Sequence, residues 1–395
     1  MTELRVFLIA GEASGDYCGS KLIGSLKKKF HGDLVLGGVG GMYMTQEGVN
    51  SIFPISQISV MGIAEIIPNI FRIAKLITKT AKAAIEFNPD IVVTIDAPGF
   101  CFRVIKKIMT LKKTGTKFVH YVSPSVWVYK KDRVYEMAKY YDLVLALLPF
   151  ESKYYKGTGL RCEYVGHHLV ENDWKKKGST RFREKYSISK SKKLIGVLPG
   201  SRETEVRRNL PYFISAINEF LYAQKNKKNF MIIYPAVSDS IIRIIEKHKD
   251  KMCFDYKIIH NKNYEEKIEM VTSFYMALVK SGTSSLELVF AQVPMIVAYR
   301  VNCLTAFIAR NIYKIFQNIK FVSLANIILN KEVIPEFLQE KCTADNISLG
   351  LARLSDDKFR SKQLLDYKKV IIKLSPSGSE KPSEIAARKI IELQT

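Results

Sequence analysis

Nine short aliphatic runs, separated by stretches of helical pattern, constrain this chain more than any other feature. They are Leu4–Ala10, Leu34–Val39, Ile91–Ile95, Phe118–Val122 and Leu143–Leu147, then, after a gap, Leu194–Leu198, Met231–Tyr234, Tyr275–Val279 and Met295–Ala298. Strands read as continuous Val/Ile/Leu runs when helices cover both faces of a parallel sheet. The repeated strand-then-helix order predicts doubly wound α/β sheets. At 395 residues the chain exceeds one ordinary core, so two such domains are expected. A polar, basic stretch with Lys175-Lys176-Lys177 and Lys190 to Lys193 suggests the boundary. The expected layout is a first Rossmann-like domain over 1–170, a linker over 171–193 and a second domain over 194–345. Closing helices over 346–395 are expected to pack back on the first domain or on a partner protomer.

Charge and cysteine usage narrow the partners. The formal net charge is +23, and such a surface attracts nucleic acid, anionic lipid headgroups or phosphorylated substrates. The basic residues are spread along the chain without an Arg-rich tail, which argues against nucleic acid. Part of the excess reads equally as a solvated, Lys-rich surface. Six cysteines stand at 18, 101, 162, 253, 303 and 342, with no C-x-x-C pair and no Cys/His cluster of zinc spacing. They read as reduced, mostly buried thiols of a cytosolic protein. Met1 leads directly into the first strand, without the regions of a secretory signal. No apolar stretch reaches the roughly 18 to 20 residues of a transmembrane helix, so any membrane contact is expected to be peripheral.

Open parallel sheets bind ligands beyond the carboxyl ends of their strands, and a cleft between two facing sheets is the expected site. The first strand runs into Gly11-Glu12-Ala13-Ser14-Gly15-Asp16. Ser14 or Asp16 is expected to cap a helix starting near Tyr17, whose free amides suit an anion; a well-capped turn is the plainer reading. Gly37-Gly38-Val39-Gly40-Gly41 follows the second strand and lets backbone approach a ligand or the other domain. Asp96 ends the run Ile91–Ile95. A carboxylate there is the kind of group that takes a proton from a sugar hydroxyl, or else a cap for the next helix. His120 to Trp127 crowds His, Tyr, Ser and Trp at a strand end. That composition suits hydrogen bonding and stacking of a sugar, although a lone His is more often structural and Trp127 equally reads as a packing anchor.

The second half carries two strand–turn–helix loops, Leu198-Pro199-Gly200-Ser201-Arg202 and Val279-Lys280-Ser281-Gly282-Thr283-Ser284-Ser285-Leu286-Glu287. Arg202 offers a planar fork for phosphate, and the second helix start suits a diphosphate. Glu287 lies one turn beyond Thr283 on the same helix face, placed to accept from ribose hydroxyls. Two such loops in one domain point to a nucleotide-diphosphate site. No Asp-x-Asp follows a strand, so leaving-group charge is expected to meet Arg202, Arg300 and helix dipoles, with no metal and no cofactor. Ile66 to Lys82 pairs an apolar arc (Ile66, Ile67, Ile70, Phe71, Ile73 and Ile77 with Ala74) with a basic stripe, Arg72, Lys75, Lys79 and Lys82. That is the pattern of an interfacial helix, or of a core-facing helix with a solvated Lys face.

From Gly11 to about Thr343, the ordered motifs resemble the lipid-A-disaccharide synthases. The resemblance rests on Gly11 to Asp16, Val60-Met61-Gly62, Ile95-Asp96-Ala97-Pro98, His120 to Trp127, Leu148-Pro149-Phe150-Glu151, Leu198 to Arg202, Ser281 to Glu287 and Val322-Ser323-Leu324. It implies a glycosyltransferase-B fold, two Rossmann-like domains facing across a cleft. It further implies inverting condensation of UDP-2,3-diacylglucosamine with 2,3-diacylglucosamine 1-phosphate in lipid A biosynthesis, releasing UDP. It implies a cytoplasmic enzyme, peripheral on the inner-membrane phospholipid surface through the helix matching 66–77, a homodimer, and no nucleic-acid partner.

Carried over by position, Asp96 is the catalytic base. Gly200, Ser201, Arg202, Ser281, Gly282, Thr283, Glu287, Arg300 and Asn326 are expected at UDP. Glu12, Ser14, Asp16, Met61, His120, Ser123, Ser125 and Trp127 are expected at the acceptor. Three positions depart from the family: Gly99 replaces a common second acid, Met42-Tyr43 a usual Pro-Arg, and Ala325 a frequent Pro. The alternative within this fold type is a UDP-sugar 2-epimerase, which needs no lipid acceptor.

Overall fold

The computed structural model describes residues 2–58, 69–128, 130–174, 178–261, 263–301 and 320–394. The chain forms two compact units, Met1–Glu171 with Leu374–Thr395, and Asn172–Lys373.

The first unit is built on a parallel sheet of β1 (Glu3–Ala10), β2 (Asp33–Val39), β3 (Asn50–Ser51), β4 (Ile91–Ile95), β5 (Lys117–Tyr121), β6 (Leu143–Ala146) and β7 (Arg161–Tyr164). Its spatial order is β3-β2-β1-β4-β5-β6-β7. Alternate residues of β1 serve the two faces: Phe7 and Ile9 join one core, and Leu4, Val6, Leu8 and Ala10 the other. Helices α1 (Ala13–Lys29), α2 (Met42–Gln46), α3 (Ile70–Phe87), α4 (Pro98–Lys107) and α5 (Arg133–Ala138) occupy the crossovers. The strand order reverses between β1 and β4, which pair from Val6↔Ile91 to Ala10↔Ile95. Parallel sheets open a crevice at such a reversal.

The second unit repeats the plan with β8 (Lys193–Leu198), β9 (Phe230–Ala236), β10 (Tyr256–His260), β11 (Met276–Val279), β12 (Met295–Tyr299) and β13 (Glu336–Leu338), in the order β10-β9-β8-β11-β12-β13. Here the reversal lies between β8 and β11, paired from Met276↔Ile195 to Val279↔Leu198. Its helices are α6 (Gly178–Lys185), α7 (Glu203–Tyr222), α8 (Asp239–Glu246), α9 (Tyr264–Thr272), α10 (Thr283–Phe290), α11 (Leu324–Leu329), α12 (Ala344–Leu354) and α13 (Asp357–Leu374).

All nine aliphatic runs are strands. Strands β3, β7, β10 and β13 were not anticipated, because their residues, mostly exposed or half-buried, do not read as continuous aliphatic sequence. The basic stretch 171–193, expected as a linker, is largely folded into the second unit. Phe182 and Ile188 anchor it in the core, and Lys185 and Arg181 pair with Glu266 and Glu269 at 2.7 and 3.4 Å. Two apolar anchors outweighed the lysines around them. The closing helices divide as well: α12 and α13 belong almost wholly to the second unit, and α14 (Pro382–Ile391) packs on α1 in the first. No helix among the described residues is long and apolar enough to cross a membrane.

Candidate active site

At the reversal point of the first sheet, three consecutive loops meet in a tight backbone cluster. Asp96 and Ala97 leave β4 with φ of 54° and 44°, and Val122 leaves β5 at 74°. A β-branched residue in the left-handed region is a true outlier, and such turns cost about 1–3 kcal/mol each. The strain is held by Asp96 N–H donating to the Tyr121 carbonyl and Val122 N–H to the Leu145 carbonyl, both at 3.0 Å. A Cβ on Gly11 would stand 2.0 Å from that of Ala97. Glycine at 11 therefore lets the Asp96 turn rest against the first loop. Asp96 itself remains half-buried, which suits an acid that must meet substrate.

The other acceptor candidates divide sharply. Glu12 is the N-cap position of α1 and Ser14 is half-buried in its first turn. The helix starts at Ala13 without a side-chain cap, four residues ahead of the expected start. Asp16 does not cap α1. Its carboxylate accepts N–H groups of Gly41, Tyr43 and Met44 at 2.8–3.0 Å, pinning the glycine-rich loop and starting α2. Both Asp16 oxygens are taken up by these backbone donors, so an acceptor-contact role does not fit.

His120 is also structural. It is fully buried, with Nδ1 2.7 Å from Thr94 Oγ1 and its ring between Phe102 and Tyr141, each centroid at 5.3 Å. Burial first, then the Arg133 charge, lowers its pKa to about 3. Ser123 is buried against the Tyr155 hydroxyl at 2.8 Å. Of that run only Ser125 is exposed. The half-buried Trp127 meets Phe150 edge-on at 5.5 Å, its Nε1 buried beside the Glu151 carboxyl.

The second unit offers a cationic cradle at its own reversal point. Gly200 and Gly282 adopt φ of 149° and 155°; a Cβ at Gly200 would stand 2.6 Å from that of Glu205. Glu205, in the first turn of α7, accepts from Lys280 Nζ at 2.9 Å, Arg202 Nη1 at 3.2 Å and Ser201 N–H at 3.3 Å. Burial raises this carboxyl, but Lys280 and then Arg202 outweigh it and hold the pKa below the usual range. Ser201, Gly282 and Thr283 are exposed and Ser281 half-buried, so the start of α10 is open to an anion. Further along α10, buried Glu287 takes Lys267 Nζ at 2.7 Å and the Tyr264 hydroxyl at 2.8 Å on Oε1, while Oε2 has no partner. Arg300 Nη1 donates to the Tyr212 hydroxyl, and its guanidinium lies 4.6 Å over that ring.

The sequence profile of a family described as lipid-A-disaccharide synthetase matches residues 6–390. The chain is 39% identical to a Rickettsia prowazekii lipid-A-disaccharide synthase over 97% of its length and 98% of the relative's. It is 33% identical to one from Rhodospirillum centenum, over 100% and 96%. The chain belongs to the lipid-A-disaccharide synthetase family. It is thus a glycosyltransferase of lipid A biosynthesis. Solved structures share the fold. A UDP-GlcNAc 2-epimerase from Neisseria meningitidis bound to UDP-GlcNAc aligns with a TM-score of 0.64 at 11% identity, over 99% of both chains. A Rickettsia africae glycosyltransferase aligns at 0.57 and 14%, over all of both chains.

In this synthetase-family chain one further expected UDP contact is spent elsewhere. Asn326 is fully buried. Its amide donates to the Ile334 carbonyl and to Glu336, and its oxygen accepts from Val333 and Ile334 N–H, all at 2.8 Å. Glu336 also takes the Val322 and Ser323 N–H groups, so the pair shapes the 322–326 loop. The expected membrane arc splits too. Ile70 and Phe71 are 54% and 89% exposed, Ile73 is half-buried, and Ile77 is in the core at 4%. Met61, Ile66 and Ile67 lie outside the described residues. Sequence reasoning did not single out Glu205, Lys280, Lys267 or Glu336. The only local signal was an acid three residues after Arg202.

Proposed function

We propose that this protein condenses UDP-2,3-diacylglucosamine with 2,3-diacylglucosamine 1-phosphate, inverting the donor's anomeric centre. Asp96 takes the proton of the acceptor 6-hydroxyl. The O6–C1 bond forms as the bond from C1 to the diphosphate oxygen breaks, and UDP leaves with that electron pair. Arg202 and the start of α10 hold the diphosphate, and Glu287 with its uncommitted Oε2 accepts from ribose. The protein works peripherally on an anionic membrane face, entered by Ile70 and Phe71, and as a homodimer.

The observation that carries the reading is Asp96, a half-buried carboxylate on a left-handed turn at the reversal of the first sheet. Mass spectrometry of products from both acylated sugars in detergent tests it: a disaccharide 1-phosphate plus UDP is expected, and an epimerised UDP sugar formed without acceptor contradicts it. Asp96→Asn should abolish turnover, at least a hundredfold, while UDP binding and thermal stability hold. Asn suits that control because it also tolerates left-handed backbone. Near-normal turnover would remove Asp96 from the role of base.

A further inference from the structure

The pairing Val279↔Leu198 sets the loop after β11 beside the loop after β8. Lys280 therefore stands next to Arg202 although neither loop alone shows it. Both cations reach the same oxygen, Glu205 Oε1, and the acid is buried beneath them. The other oxygen of that carboxylate accepts Ser201 N–H at 3.3 Å. Both cations are partly screened from water: the Lys280 and Arg202 side chains are 18% and 22% exposed. The Lys280 ammonium lies 3.6 Å from where a Gly282 Cβ would stand and 4.9 Å over the Tyr299 ring. It is thus carried to the open start of α10, where helix amides attract anions.

We propose that Lys280 is a second cation of the diphosphate site, beside Arg202, and that Glu205 is the positioning residue that holds both. This rests on the uridine diphosphate donor proposed above and deepens the description of that site. An ammonium acts there as a point charge and Arg202 as a fork. Together they would neutralise the charge that builds on the departing diphosphate.

The test is calorimetric titration of the full-length protein with UDP and with UMP. Lys280→Met should weaken UDP about tenfold or more and UMP far less, so the preference for UDP over UMP falls. Lys280→Arg should keep most of that preference. Glu205→Gln, matched in shape, should weaken UDP several-fold, because the cations lose their common anchor. Wild-type UDP affinity and preference in Lys280→Met overturns the assignment. Equal loss for both nucleotides, with altered circular dichroism, also overturns it by making Lys280 a fold residue. Tighter UDP binding by Glu205→Gln overturns the positioning role, making that carboxylate a competitor for the cations. A wild-type protein that binds neither nucleotide is a different failure: it removes the uridine diphosphate reading itself.

Discussion

Asp16 accepts three backbone N–H groups and is almost sealed from water, whereas Asp96, at the adjacent strand end, stays half-exposed on a left-handed turn. Their positions after strands were legible in the sequence. Their division of labour was not, because it depends on Gly41, Tyr43 and Met44 arriving from another crossover. Glu205 and Lys280 were hidden in the same way, 75 residues apart and joined only through neighbouring strands. Glu151 shows what burial does to such an acid. It is 3% exposed, and burial lifts its pKa from 4.5 to about 8 against the opposing Leu148 N–H. Between pH 4.5 and about 8 the folded state binds more protons at this group than the unfolded chain. Its contribution therefore falls as pH rises across that window and stays low above it. Glu151→Gln keeps an acceptor for Leu148 without the charge. It should be the more stable protein at pH 9, by on the order of a few kcal/mol, and the gap should close toward pH 5. Urea midpoints of both proteins across that range measure it; a gap that does not change with pH contradicts the burial argument.

Helix α3 divides between an exposed first stretch and a core-facing remainder. From Leu76 and Ile77 onward its apolar residues, Ile85 excepted, enter or pack on the first core, whereas Ile70, Phe71 and Ala74 face solvent. A sequence pattern reports an apolar arc but not which turns of it are covered. The exposed turn carries Arg72 and Lys75 beside Phe71, so apolar insertion and attraction to anionic headgroups would act together. Phe71→Ser should cut co-sedimentation with liposomes containing anionic lipid roughly tenfold or more, from the 1.5–3 kcal/mol that burying Phe contributes. Stability should hardly change, since at 89% exposure Phe71 supports little of the fold. Unaltered sedimentation would assign the exposed turn to something other than lipid. By contrast, the strands β1, β4, β8 and β11 were fully legible, because central strands covered by helices on both faces read as near-continuous aliphatic runs.

At the scale of the whole molecule, contact order decided what the sequence concealed: the first unit is closed by residues from the far end of the chain. Helix α14 lies on α1, burying Ala386, Ala387 and Ile390 with Leu22, Ile23 and Leu26. Ser383 donates both its N–H, at 2.7 Å, and its hydroxyl, at 2.9 Å, to Glu171, and its Oγ lies 2.8 Å from Ser25 Oγ. Glu171 is the last residue of the first unit before the chain leaves it. Burial raises its carboxyl and the Ser383 bonds oppose that rise. The ion pairs Lys389–Glu163 at 3.0 Å and Arg161–Glu392 at 3.4 Å tie the helix to β7, but pairs so near the surface add little. Ending the chain at Ser375 would expose the apolar side of α1 and leave Glu171 without its donors. Losing Ile390 burial removes about 2 kcal/mol, and stranding a hydrogen-bonded carboxylate costs a similar or larger amount. The ordering entropy of α14 offsets part of that sum. The first unit should therefore melt several degrees lower, while the second, which ends at Lys373, keeps its own transition. Differential scanning calorimetry of the full and shortened chains separates the two. An unshifted first transition would show that α14 covers the unit without stabilising it.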